Sequence, residues 1–360
     1  MNTPPDERRK RYFHISTQLA RYSDNQLRDH LASLPHSTGW GRNQVIDVGG
    51  LKVFVKRIPI TDREMADVRS TRNHFQLPIY YNYGVGSAGF GAFREMFTHI
   101  KTTNWVLDGA IENFPLMYDH RIVPRSDSSD DMSAARLARH VEYWASNADI
   151  GTFRQARSDA TSEMLLFLEF FPATAAAWLK NNGENFVQFF EEMADVIHFL
   201  QANGVIHFDV QRNNILTDGR RMYLSDFGLA LDLEFELTEP ESSFFVANSH
   251  YDDGSLVYCL LSQLFSWYTD LTEPEMTAIR ERYGSPSTQP AAVASALLSN
   301  VEDIASKGLM PLNRDFVGMV VAYRPAIEMF HDFSSRMRAG SRKDFVFPNA
   351  ELKRLLGRSG

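Results

Sequence analysis

Apolar positions follow two different rhythms along this chain. Residues 1–36 are polar and helix-like in composition and end at Pro35. Two short runs of β character follow, 44–48 and 51–58, joined by Gly49-Gly50. A glycine pair accepts the positive φ of a tight turn, so the spacing predicts a hairpin. A second Gly-rich stretch, 84–91, precedes 92–101, where Phe93, Met96, Phe97 and Ile100 recur at helical spacing. Residues 114–120 and 164–171 predict further strands. Between them lies an insert at about 126–162, an acidic loop followed by a stretch of helical composition. From Ala173 onward helical spacing dominates. In 185–202 it places Phe186, Phe189, Phe190, Met193, Ile197 and Leu200 on one face. No internal repeat is present. The expectation is an α+β chain, strand-rich in front and helix-rich behind, divided near Pro172.

Composition narrows the class. The 360 residues are 44% hydrophobic and 12% aromatic, enough for a sizeable core in one large domain or two lobes. The net charge of −8 argues against a nucleic-acid footprint. The one basic run, Arg8, Arg9, Lys10 and Arg11, fits a solvated tail. The single cysteine, Cys259, excludes a disulfide framework and a cysteine-based zinc site, and its apolar surroundings predict a buried, inert thiol. The longest apolar run, 256–268, is broken by Ser262 and Gln263 and is too short to span a bilayer. The first residues carry charges with no apolar core after them, unlike a secretory signal. A cytoplasmic protein with neither membrane nor nucleic-acid partner is the expectation.

The chemistry concentrates in residues 204–230, GVIHFDVQRNNILTDGRRMYLSDFGLA. Asp209, Asn214 and Asp226 supply oxygens of the kind that orient a hydroxyl and hold magnesium. Two short strand-like runs around Thr217-Asp218-Gly219 predict a hairpin folding Asp226 back towards Asp209 and Asn214. His207-Phe208-Asp209 with Asn214, followed by Asp226-Phe227-Gly228, resembles the catalytic and magnesium-binding loops of the protein kinase family. Both motifs in order, on fitting elements, make the resemblance specific; it covers about residues 37–260.

The resemblance implies a bilobal fold: an N-terminal extension at 1–36, an N-lobe at 37–171 carrying the insert, and a helical C-lobe at 172–360. It implies ATP and Mg2+ as cofactors. Lys56, ending Val53-Phe54-Val55-Lys56, would contact the α- and β-phosphates. Its partner would be Glu95 on the helix after the Gly-rich stretch, because Glu64 lies too near Lys56 in sequence. Gly39 and Gly41 would belong to a degenerate phosphate loop. Backbone groups of Glu169 and Phe171 would meet the adenine edge. Asp209 would be the catalytic carboxylate, with Asn214 and Asp226 as metal ligands.

The chain also departs from the family. Phe208 replaces the arginine before the catalytic aspartate, which implies activity independent of a phosphorylated segment. Gln211 stands where serine/threonine kinases carry a lysine, and Arg212 is the neighbouring candidate for that charge. No A-P-E motif follows Gly228. Asp252 or Asp253 would brace the catalytic loop. A kinase acting on serine or threonine of a protein substrate is the leading expectation. The alternatives are a small-molecule phosphotransferase resembling aminoglycoside or choline kinases, and a pseudokinase that holds nucleotide, or nothing, and acts by association.

Overall fold

The computed structural model describes residues 5–32, 43–125, 133–284, 288–340 and 342–357. The class is α+β, a small antiparallel sheet with a mostly helical remainder. The chain divides into two compact units. The first comprises the described residues of Met1–Pro172, Tyr223–Ser242 and Ser341–Lys343; the second comprises those of Ala173–Met222, Ser243–Gly340 and Asp344–Gly360.

In the first unit, helices α1 (Pro5–Leu19) and α2 (Asp24–Ala32) precede β1 (Gln44–Val48) and β2 (Leu51–Ile60). The predicted hairpin forms, with φ of 61° at Gly49 and 82° at Gly50. After the one-turn α3 (Asp62–Ala66) come α4 (Ala92–Asp108), β3 (Met117–Pro124), the insert helices α5 (Ala134–Tyr143) and α6 (Ala148–Ser158), and β4 (Ser162–Glu169). The sheet runs β1-β2-β4-β3, antiparallel throughout. Strand β3 begins later than residues 114–120 suggest: Phe114 and Leu116 are buried ahead of it, the Leu116 carbonyl already accepting the Glu169 N–H of β4.

Because β4 is central, both of its faces are covered, and its side chains divide by the two-residue period. Leu165 and Phe167 join Val53, Val55 and Tyr118 under Ile15 and Leu19 of α1 and Leu27 and Leu31 of α2. Met164, Leu166 and Leu168 face Phe93 and Met96 of α4. Each such apolar side chain contributes about 1.5–3 kcal/mol on burial, so helices sandwich the sheet firmly.

The basic run is not a solvated tail throughout. Arg9 and Lys10 are exposed, but Arg8 is buried. It makes a bidentate pair with Glu169 and donates to the carbonyl of Glu112 at 2.6 Å. A buried guanidinium needs such partners to offset its lost hydration.

The second unit opens with β5 (Ala173–Thr174), α7 (Ala175–Leu179), α8 (Phe186–Ala202), β6 (Val205–Ile206) and β7 (Ile215–Thr217). Strands β8 (Met222–Leu224) and β9 (Leu231–Asp232) carry the chain through the first unit, and α9 (Glu239–Ala247) leads back. There follow α10 (Tyr251–Thr269), α11 (Glu273–Arg282), α12 (Pro290–Ser299), α13 (Val301–Ser306), α14 (Arg314–Ala339) and α15 (Asn349–Leu356). The apolar face of α8 is buried as its spacing predicts. Helices α10 and α14 cross closely at Gly254, where a Cβ would stand 2.6 Å from the ring of Phe330. Cys259 is a buried free thiol, and burial pushes it up to about 11. Among the described residues no helix is long and apolar enough to cross a membrane.

Candidate active site

In the first unit, Lys56 of β2 reaches its predicted partner, Glu95, and also Asp226, for which the sequence suggests only a metal-ligand role. Its ammonium pairs with Glu95 of α4 and donates to Asp226 Oδ1 at 2.8 Å. Glu95 faces it because α4 has a fixed start. The helix opens at Gly91, which offers no side-chain cap, and the carboxylate of Glu64 supplies one by accepting the Ala92 N–H at 2.7 Å. Glu64 also accepts from the N–H and hydroxyl of Thr61, as the capping box of α3. Glu64 is therefore not the partner of Lys56 but the brace for the helix that carries it.

Asp226 sits on left-handed backbone, φ 67° and ψ 71°. For a residue with a Cβ this costs about 1–3 kcal/mol and persists only where the surroundings enforce it. Phe227 provides that enforcement. It is fully buried, edge-on to His99 of α4 with centroids 4.8 Å apart. Gly228 lies against both carboxylates: a Cβ there would make ordinary van der Waals contact with Glu95 Oε2 at 3.4 Å and Asp226 Oδ1 at 3.6 Å.

The charges are coupled. Burial alone would depress the Lys56 ammonium, but the carboxylates of Asp226 and Glu95 outweigh it and hold it above the ordinary lysine range. Burial pushes the Glu95 carboxyl up, against the pull of Lys56. The lysine side chain is 20% exposed and that of Asp226 47%, so the set is open on the aspartate's side.

In the second unit, the loop 207–214 is held by its backbone. Asp252 of α10 accepts the N–H of His207 at 2.6 Å and that of Phe208 at 2.9 Å. Of the two candidate braces it is therefore Asp252; Asp253 binds His250 Nδ1 at 2.8 Å and Gln201 Nε2 at 2.7 Å. Burial is the main reason the Asp252 carboxyl is pushed up to about 7, against the two N–H donors and with Asp253 and Asp209 adding to it. Phe208 takes left-handed backbone, φ 63°, and stacks on Phe244 with centroids 5.5 Å apart. Where the family's arginine would present charge, this side chain is core.

Asp209 and Asn214 come together, with Asn214 Nδ2 donating to Asp209 Oδ2 at 2.7 Å. Gln211 Nε2 also meets that carboxylate, at 3.0 and 3.1 Å. Arg212 does not join them. Its guanidinium is turned to α10, donating to Ser262 Oγ and Ser262 O at 2.8 Å and binding Gln263. It is thus no substitute for the family's lysine.

The remaining sequence candidates fall as follows. The Glu169 N–H is taken by the Leu116 carbonyl at 2.8 Å, and its carboxylate by Arg8. The Phe171 ring lies 4.1 Å from that of Tyr223, over which Arg8 also sits at 5.1 Å. Gly39 and Gly41 lie outside the described residues.

Among the described residues no group of three or more His, Cys, Asp or Glu side chains is arranged to hold a metal. The half-exposed carboxylate of Asp226 is the kind of oxygen magnesium accepts, since that ion takes one or two protein oxygens and completes its shell with phosphates and water. Arg8, Glu64 and Asp252's bidentate grip are the parts sequence reasoning missed or left open. Only Glu64 had a local signature, the Thr61-x-x-Glu64 capping box. No known protein family matches the chain, and no curated protein shows significant similarity to it.

Proposed function

We propose that the chain is a phosphotransferase with the bilobal protein-kinase-like fold, moving the γ-phosphate of ATP, with magnesium, to a serine or threonine hydroxyl of a protein. The observation that carries this reading is Lys56 held by Glu95 and Asp226, three residues from separate elements to which the kinase resemblance gives roles, the Lys56–Glu95 pair among them. The left-handed backbone at Phe208 and Asp226, one in each motif, supports it. So does the grip of Asp252 on the loop that carries Asp209.

In this reading Lys56, kept cationic by its neighbours, aligns the α- and β-phosphates, and Glu95 keeps it from swinging away. Asn214 and Asp226 would hold magnesium, which neutralises charge on the phosphates when bound. Asp209 accepts or orients the hydroxyl proton of the acceptor. Asn214 and Gln211 fix the direction of its carboxylate. The Glu169 carbonyl and backbone groups of Phe171 would border the adenine edge, the Glu169 N–H being taken by Leu116. Transfer is direct, with no covalent intermediate on the enzyme.

A second reading, phosphoryl transfer to a small molecule, is favoured by one observation. Gln211 rather than a lysine stands on Asp209, and Arg212 is committed to Ser262 and Gln263.

The test is transfer from γ-labelled ATP with magnesium by the purified chain, with a generic protein acceptor and an Asp209→Asn control. Label on protein serine or threonine, lost in the control, is the expected result. Nucleotide binding without label on any protein would move the assignment to a small-molecule acceptor. Neither binding nor label would leave a pseudokinase.

A further inference from the structure

Two sequence features have no task in phosphoryl transfer as described: the Gly-rich stretch 84–91 and the helical insert. In the first unit they touch. Gly86, Gly89 and Gly91 have φ of 113°, 85° and 150°, so the loop follows a path open chiefly to glycine. The insert fastens this path at successive residues. The Tyr143 hydroxyl of α5 donates to the Val85 carbonyl at 2.5 Å, and Arg157 of α6 donates to the Ala88 carbonyl at 3.1 Å. Arg157 also lies 5.5 Å over the Phe153 ring, which sets its direction of approach. The Ala88 N–H donates to the Tyr81 hydroxyl at 3.2 Å, so both backbone groups of that residue are used.

The other side of the loop rests on the metal-binding segment. A Cβ at Gly89 would stand 2.6 Å from the carbonyl oxygen of Gly228. That is backbone against backbone, with no side chain able to yield. Gly228 lies two residues beyond Asp226, whose strained conformation needs outside support.

We propose that Arg157, acting through the 84–91 loop, is a positioning residue for Asp226: the insert presses Gly89 onto Gly228 and so holds the backbone on which Asp226 faces Lys56. Its catalytic consequence rests on the phosphotransferase reading, whereas its structural consequence does not. The insert is thereby a brace reaching the metal loop through two backbone contacts. The guanidinium at 157 supplies a charge-assisted hydrogen bond at the point where the brace meets the loop.

The experiment compares wild type with Arg157→Ala, Arg157→Lys and Gly89→Ala, all in the full chain. Amide hydrogen exchange over 226–230 is read without nucleotide or metal. Arg157→Ala should raise it about tenfold, as for one lost charge-assisted hydrogen bond, and Arg157→Lys should recover most of that. In phosphoryl transfer, Gly89→Ala should lower kcat on the order of 10²-fold and raise the magnesium requirement, with KM for ATP unchanged. A general loss of stability would instead lower the melting temperature without separating kcat from KM. Unchanged exchange over 226–230 in Arg157→Ala would overturn the proposal, whether or not Gly89→Ala folds. A wild type that transfers phosphate to nothing would remove the phosphotransferase reading and leave the exchange measurement to decide this one.

Discussion

Arg94 of α4 donates to Glu241 at 2.6 Å with both side chains almost wholly withdrawn from solvent, 2% and 1% exposed. The next residue along the helix is Glu95, which holds Lys56. One turn of α4 therefore ties the segment following Asp226 to the lysine strand. Two more anchors repeat the connection: Lys101 with Asp232 at 2.9 Å, and Glu236 with the Ser70 hydroxyl at 2.6 Å.

Removing one partner of the Arg94–Glu241 pair strands a buried charge. Glu241→Ala should cost about 3–5 kcal/mol in urea unfolding, and a double Arg94→Met, Glu241→Leu variant should recover most of it. A loss in the single variant below about 1 kcal/mol would place the pair with ordinary surface bridges.

Lys56→Ala should reduce phosphoryl transfer by about 10²–10³-fold, the range for one preorganised charge, and Asp226→Ala by at least as much. Asp209→Asn should remove transfer while leaving nucleotide affinity intact. Steady-state kinetics beside equilibrium binding separates these effects. Full activity in any of the three variants contradicts the role given to that residue.

Asp252 predicts a pH signature. Its carboxyl titrates near about 7 in the folded chain, raised by burial, against about 4 in an unfolded one. Between those values the folded state keeps a proton that the unfolded state has lost. This group's contribution to stability must therefore fall as pH rises through the window, and level off on either side. Asp252→Asn should flatten the profile over that range in denaturation measured from pH 4 to 8. A profile as steep in the variant as in wild type would assign the slope elsewhere.

Arg8→Ala should destabilise the first unit by about 3–5 kcal/mol, because the buried Glu169 carboxylate loses its bidentate partner. Adding Glu169→Gln should return part of that loss. Thermal unfolding of the four-member cycle reads the coupling directly.

Local chemistry was legible where the physics is local. Gly49-Gly50 between alternating runs specified its hairpin, and the spacing of Phe93, Met96 and Phe97 specified α4. Asp226 was nameable because it stands in one of the two motifs, and Lys56 and Glu95 because the resemblance expects a lysine strand and a glutamate helix upstream of them. Arg8 was not. A charge run counts as solvated unless a partner is known, and its partner stands 161 residues away. Arg212 failed for the opposite reason: adjacency to Gln211 suggested a shared task, but the loop turns its guanidinium to Ser262. Phe208 was visible as a missing arginine, whereas its packing on Phe244 depends on a helix far along the chain.

The same separations impose an order on synthesis. The cover of Ile15 and Leu19 of α1 is completed only after β4 has been made, and Arg8 waits 161 residues for Glu169. At ribosomal speed that interval is about 8–32 s, during which the apolar stripe of α1 has only an incomplete sheet to lie on. Lys56 waits 170 residues for Asp226, longer still. Nascent chains halted before residue 169 should thus engage chaperones through their first helix, and those released beyond residue 226 should not.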